Sequence, residues 1–135
     1  HDEHAGERPV VVNTKGFDNI IWVWNVQDFD TLDKDVNSYN PGSSYFDIAT
    51  LDVYNTGYTQ NNYNAMLGVA KGKPIAVAEC QYVPTPALLA RQNRWVYVML
   101  WSDFISNPRN QMVLPTIYKA PNIVTLDQMP GWGSH

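Results

Sequence analysis

The chain has 135 residues, 44% hydrophobic and 13% aromatic, enough to build a core and one domain, which excludes a disordered tail. Nine basic and 13 acidic residues leave a net charge of −4 with no Lys/Arg cluster, so a nucleic-acid partner is excluded. No apolar run approaches the roughly 20 residues a membrane helix needs, so no membrane partner is expected, and the single Cys80 excludes an internal disulfide.

In chain order, positions 1–14 form a polar leader that opens at His1 with no Met, no basic n-region and no apolar signal segment, which reads as a processed or excised piece. Gly16 precedes Asn19-Ile-Ile-Trp-Val-Trp24, a β-branched and aromatic run that predicts a strand buried on both faces. Positions 25–44, closed by Tyr39-Asn-Pro-Gly42, predict a long loop with a helical turn near 31–36. A second strand is expected over 46–54, followed by a helix capped at Thr59, with Tyr63, Met66, Leu67 and Ala70 at helical spacing and Gly72 as its stop. Pro74 opens a third strand ending at Glu79, a short helix is expected over 86–92, a fourth strand over 95–101, and a further helix near 111–118. Four apolar strands separated by helices or long loops predict parallel β/α repetition, because the crossovers are too long for hairpins.

The sequence holds three glutamates, two of them, Glu3 and Glu7, in the leader. Glu79 ends an otherwise apolar strand, and the C-terminal ends of parallel strands face the reaction site in α/β proteins. It is either a catalytic carboxylate or a structural one paired to a cation. Asp52 and Tyr54, two apart near the end of the second strand, share a face. A phenol placed against a carboxylate nucleophile holds it ionised and oriented; the alternative for Tyr54 is packing beneath a loop. Trp101 ends the fourth strand beside Ser102 and Asp103, where an aromatic plane suits sugar stacking. Trp22 and Trp24 share one face of the first strand; Trp22 is assigned to the core, and Trp24, nearer the mouth, is taken as a substrate-facing ring, the alternative being that it too fills the core. The segment His1-Asp-Glu-His4 has no downstream His or Cys cluster to complete a metal site, so no metal is expected. Cys80 alternates to the side of the strand away from Glu79.

Five stretches together resemble glycoside hydrolase family 26, chiefly endo-β-1,4-mannanases: D-N-I-I-W-V-W-N from Asp18, F-D-I-A-T-L-D-V-Y from Phe46, G-K-P-I-A-V-A-E-C from Gly72, W-V-Y-V-M-L-W-S-D-F from Trp95 and T-L-D-Q-M-P from Thr125. Their order is similar to the fifth to eighth strands of that family's (β/α)8 TIM barrel, so the resemblance implies an α/β half-barrel over positions 1–135, covering the last four β/α units. It further implies a retaining hydrolase of internal β-1,4-mannosidic bonds, active in mannan degradation and carbohydrate metabolism and secreted, with no cofactor. Glu79 would be the nucleophile, Tyr54 its hydrogen-bond partner, Asp52 a supporting sugar-site residue and Trp101 the floor of the reacting subsite.

A retaining glycosidase needs a second carboxyl about 5–5.5 Å from the nucleophile. In the family it lies in a His-Glu pair ending the fourth strand, which this sequence lacks; Glu3 lies too near the first strand to take that role. General acid help is typically worth about 100- to 10,000-fold, so the isolated chain is expected to be nearly inactive. Four strands of an eight-strand barrel also leave two edges and an apolar inner face open. Expected partners are therefore β-mannan or mannooligosaccharide and a cover for the sheet, either the missing N-terminal half-barrel or a second copy. The rival function is a non-catalytic carbohydrate-binding or interaction half-barrel.

Overall fold

A computed structural model describes Val12 and residues 14–132. Strands β1 (Val23–Gln27), β2 (Ile48–Val53), β3 (Ile75–Cys80) and β4 (Trp95–Leu100) lie side by side in chain order, every neighbouring pair parallel. Helices α1 (Leu32–Tyr39), α2 (Gln60–Ala70) and α3 (Pro86–Arg91) connect them, and α4 (Pro108–Ile117) follows β4 after a 3-10 turn at Ser102–Phe104. A doubly wound sheet reverses its strand order at a switch point; here the order never reverses, which is the topology of consecutive barrel units. The fold is the expected α/β class, a partial (β/α)8 barrel.

The core lies between the sheet and its helices. Ala49, Leu51 and Val53 of β2 and Ile75, Val77 and Cys80 of β3 meet Leu32 and Val36 of α1 and Tyr63, Met66, Val69 and Ala70 of α2. Burying side chains of this size is worth about 1.5–3 kcal/mol each, so this layer drives folding. Among the described residues, no helix is long and apolar enough to cross a membrane.

Local sequence sets the ends of α2. The Thr59 hydroxyl accepts from the backbone N–H of Asn62, an N-cap, and the helix ends where Lys71 (φ 52°) and Gly72 (φ 89°) turn left-handed. The next residue, Lys73, donates to the carbonyls of Ser43 and Phe46 and lies 5.2 Å from the centre of the Phe46 ring. That clamp ties the approach to β3 to the approach to β2.

Three elements depart from the expected boundaries. β1 begins at Val23 rather than Asn19, because the ladder with β2 pairs Val23 with Ile48 through Gln27 with Asp52; Ile20 and Ile21 precede it on the surface. The loop over 25–44 contains a full helix, α1, anchored by buried Leu32 and Val36 one turn apart. Helix α4 starts at Pro108, since the Asn107 side chain caps it by accepting from the N–H of Arg109 and proline suits a first turn.

Strand β3 carries one irregularity. Leu51 pairs with Val77, but the next residue of β2, Asp52, pairs with Glu79, so Ala78 is an extra residue in a β-bulge. Beyond the bulge the strand's sidedness inverts: Val77 faces the helices, Glu79 the other face, and Cys80 the helices again.

Candidate active site

The C-terminal ends of the strands bring together a polar cluster on the face away from the helices. The Tyr54 hydroxyl, just beyond β2, donates to Oε2 of Glu79 at 2.9 Å. One strand over, Nδ2 of Asn25 on β1 donates to Oδ2 of Asp52 at 2.7 Å, and the Thr50 hydroxyl donates to Oδ1 of Asn25 at 2.8 Å. The cluster thus runs from β1 through β2 to β3.

Its electrostatics follow from partial burial of like charges. Burial pushes the Asp52 carboxyl above its ordinary range, the Asn25 hydrogen bond opposes this, and the charges of Glu79 and Asp28 add to the rise. Oδ1 of Asp52 is buried with no hydrogen-bond partner among the described residues, which makes its charge harder to hold. Tyr54 is pushed up to about 12, by burial first and then by its hydrogen bond to Glu79 and that group's charge. It therefore remains a hydrogen-bond donor at any pH where the fold is used. Tyr97 on β4 precedes core-facing Val98, so alternation turns it to the cluster's side, and its phenol is also raised, by burial and by the charge of Asp52.

Trp101 follows β4, its N–H donating to the carbonyl of Cys80 at 3.1 Å so that the ladder continues past the last strand residue. Leu100 packs on the core, so alternation turns Trp101 to the cluster's side, where it is 43% exposed. Glu79, Tyr54, Asp52 and Trp101 therefore share one face. Trp24 does not join them. Its neighbour Asn25 faces Asp52, so Trp24 faces the helices, where its ring stacks on Phe46 at 5.6 Å; the expectation of a substrate-facing Trp24 is corrected to a core role.

Sequence reading missed Asn25, Thr50 and Asp28. Asn25 was assigned to a loop because a polar residue interrupts the hydrophobic run, yet a polar residue pointing inward near a strand end was itself the available signal. The segment His1-Asp-Glu-His4 lies outside the described residues. Among the described residues, no group of three or more His, Cys, Asp or Glu side chains is placed to hold a metal ion. Cys80 is buried on the helix side, its thiol pushed up by burial, so it stands apart from the cluster.

Known proteins place this geometry in context. The chain is 36% identical to a mannan endo-1,4-beta-mannosidase of Thermothelomyces thermophilus over 129 residues, 90% of this chain and 25% of that protein. It is 31% identical to a mannan endo-1,4-beta-mannosidase of Bacillus subtilis over 115 residues, 75% of this chain and 30% of that one. It therefore spans between a quarter and a third of the length of the curated relatives it matches. Among solved structures, a Muricauda sp. protein of glycoside hydrolase family 26 superposes with a TM-score of 0.81 at 32% identity, over 90% of this chain and 41% of that one. A ruminal endo-β-1,4-mannanase superposes at 0.75 with 23% identity, over 90% of this chain and 28% of that one, a likeness of fold. The sequence pattern of glycosyl hydrolase family 26 runs through residues 8–128, which takes in all four strands and the whole cluster around Glu79, and the chain belongs to that family.

Proposed function

We propose that these residues form the C-terminal half of a retaining endo-β-1,4-mannanase, with Glu79 as the nucleophile. The observation that carries the reading is the hydrogen bond from Tyr54 to Glu79 at the C-terminal ends of β2 and β3, where barrel enzymes do their chemistry. Glu79 attacks the anomeric carbon of a mannosyl unit as the glycosidic C–O bond breaks, and water then releases the covalent glycosyl-enzyme. Tyr54 orients the attacking carboxylate. The exposed Trp101 ring floors the reacting sugar, since flat rings stack on apolar pyranose faces.

The leaving oxygen needs a proton. Asp52 does not supply it, because one of its oxygens is held by Asn25 and the other is buried. The general acid belongs to the N-terminal half of the barrel, whose strands also cover the edges of β1 and β4 and close the inner face over the cluster. Mannan is too large to enter a cell, so the reading includes secretion.

The test is intact-protein mass spectrometry of the full-length protein after incubation with an activated 2-fluoro-mannosyl fluoride. Its good leaving group departs without an acid, so the nucleophile is read alone. A covalent adduct mapped to Glu79 is expected. A folded protein that binds mannooligosaccharide yet takes no label, or takes it elsewhere, overturns the assignment in favour of a carbohydrate-binding half-barrel.

A further inference from the structure

Asp28 takes no part in the chemistry of Glu79, yet it is the most heavily bonded carboxylate among the described residues. It follows β1 and is 0% exposed. Its Oδ1 accepts from the backbone N–H of Tyr54 at 2.9 Å and of Asn55 at 3.0 Å. Its Oδ2 accepts from the N–H groups of Asn55 at 2.9 Å, Thr56 at 2.6 Å and Gly57 at 3.1 Å, and from the Thr56 hydroxyl at 3.1 Å. The Asn55 side chain grips the Asp28 carbonyl at 2.9 Å. A buried carboxylate persists only where donors replace its water, and four consecutive amides curled around it do so. Conversely, those amides leave the end of β2 with no strand partner of their own, and Asp28 is the acceptor they share.

We infer that Asp28 is a positioning residue for the Tyr54–Glu79 pair: by holding the four amides that leave β2, it fixes where Tyr54 departs from the sheet and so where its hydroxyl meets Glu79. The inference rests on Glu79 being the nucleophile. The first amide held is Tyr54's own. The Tyr54 ring lies tilted against Phe104, centroids 6.2 Å apart, and the place where its backbone leaves the sheet sets the origin from which the ring reaches Glu79. The loop is tied to the helix layer as well, since Nδ2 of Asn62 donates to the Thr56 hydroxyl at 2.7 Å. The titratable groups around the pair are Asp52 on the same strand, Cys80 beside Glu79 and Tyr97 on β4, facing Asp52.

The full-length protein labelled with tyrosine carrying 13C at Cζ reports the hydroxyl directly, the Tyr54 signal being assigned by its loss in Tyr54→Phe. Asp28→Asn is expected to bring the Tyr54 titration down from about 12 towards the ordinary 10.0. It is also expected to slow labelling of Glu79 by the fluorosugar about 10- to 100-fold, the scale of a misplacement of about 1 Å. Added to Tyr54→Phe, it should slow labelling no further. An unmoved Tyr54 titration in folded Asp28→Asn, or a slowing that adds in full to that of Tyr54→Phe, overturns the inference. Should Asp28→Asn fail to fold, Thr56→Val removes one side-chain donor to the same carboxylate and is expected to move Tyr54 the same way by less; no movement there overturns it equally. A protein whose Tyr54 responds to Asp28 while Glu79 takes no label separates the claims, because the positioning then stands and the nucleophile falls.

Discussion

On its helix side the sheet presents Leu51, Val53, Ile75 and Val77, each almost wholly sealed, whereas on the opposite side the same strands present Thr50, Asp52 and Glu79, and β4 presents Tyr97 and Met99 at 40% and 50% exposure. The first set is matched to its neighbours by volume, since removing apolar surface from water is non-directional. The second is matched by donor and acceptor, each polar group finding a partner across a strand: Thr50 with Asn25, Asn25 with Asp52, Tyr54 with Glu79. One strand therefore carries both jobs, alternate residues building the fold and the site, and a change at one residue should disturb one job and spare the other.

The largest expected effect is on the polar side. Glu79→Gln should lower turnover of mannan by the full-length protein by a factor on the order of 10⁴ or more, with its urea midpoint nearly unchanged; a matching collapse in stability would break the separation of roles. On the helix side, Leu51→Ala is expected to cost about 2–5 kcal/mol in urea unfolding, while the folded fraction still labels at Glu79. A smaller effect is electrostatic. Asn25→Ala removes the hydrogen bond that opposes the upward shift of Asp52, so the Asp52 carboxyl should titrate higher still, as read by carboxyl 13C NMR. Because the folded protein holds this proton more tightly than the unfolded chain, the group's contribution to stability is present below the ordinary value of 3.8 and is lost as pH rises through the raised one; Asn25→Ala should extend that window upward. Smallest is Met99→Ala, expected to cost under about 0.5 kcal/mol in the 135-residue chain because half its side chain is already in water. A loss there equal to that at Leu51 would erase the distinction between the two sides.

How far the sequence spoke depended on which side was speaking. β2, β3 and β4 were legible because their helix-facing residues form apolar runs, and the start of α2 because Thr59 is a cap with a mechanism. The common face of Asp52 and Tyr54 was legible from spacing alone. β1 was displaced because its polar inward residues, Asn25 and Gln27, look like a loop when the face they serve is unknown, while Ile20 and Ile21 look like a strand they do not join. Trp24 was misplaced for the same reason: which side of a strand is the site depends on its pairing, here fixed by residues 25 or so positions away. Asp28 was invisible because its partners are backbone amides of a distant loop, which leave no mark in residue identity.

The extra residue in β3 gives this pattern a second meaning. Counting in twos from Ile75 through Val77 assigns Glu79 to the core and Cys80 to the site; Ala78 resets the count, so the strand is read in one frame for folding and in another for chemistry. Flattening the bulge with Ala78 kept in the ladder would put a thiol where the carboxylate stands and turn the carboxylate among the helices, silencing Glu79 without altering it. Deleting Ala78 would do the reverse: Glu79 would follow Val77 directly, and plain alternation would keep the carboxylate on the site side and the thiol with the helices. The side on which Glu79 stands is therefore a property of the spacing of the strand, written in no single side chain.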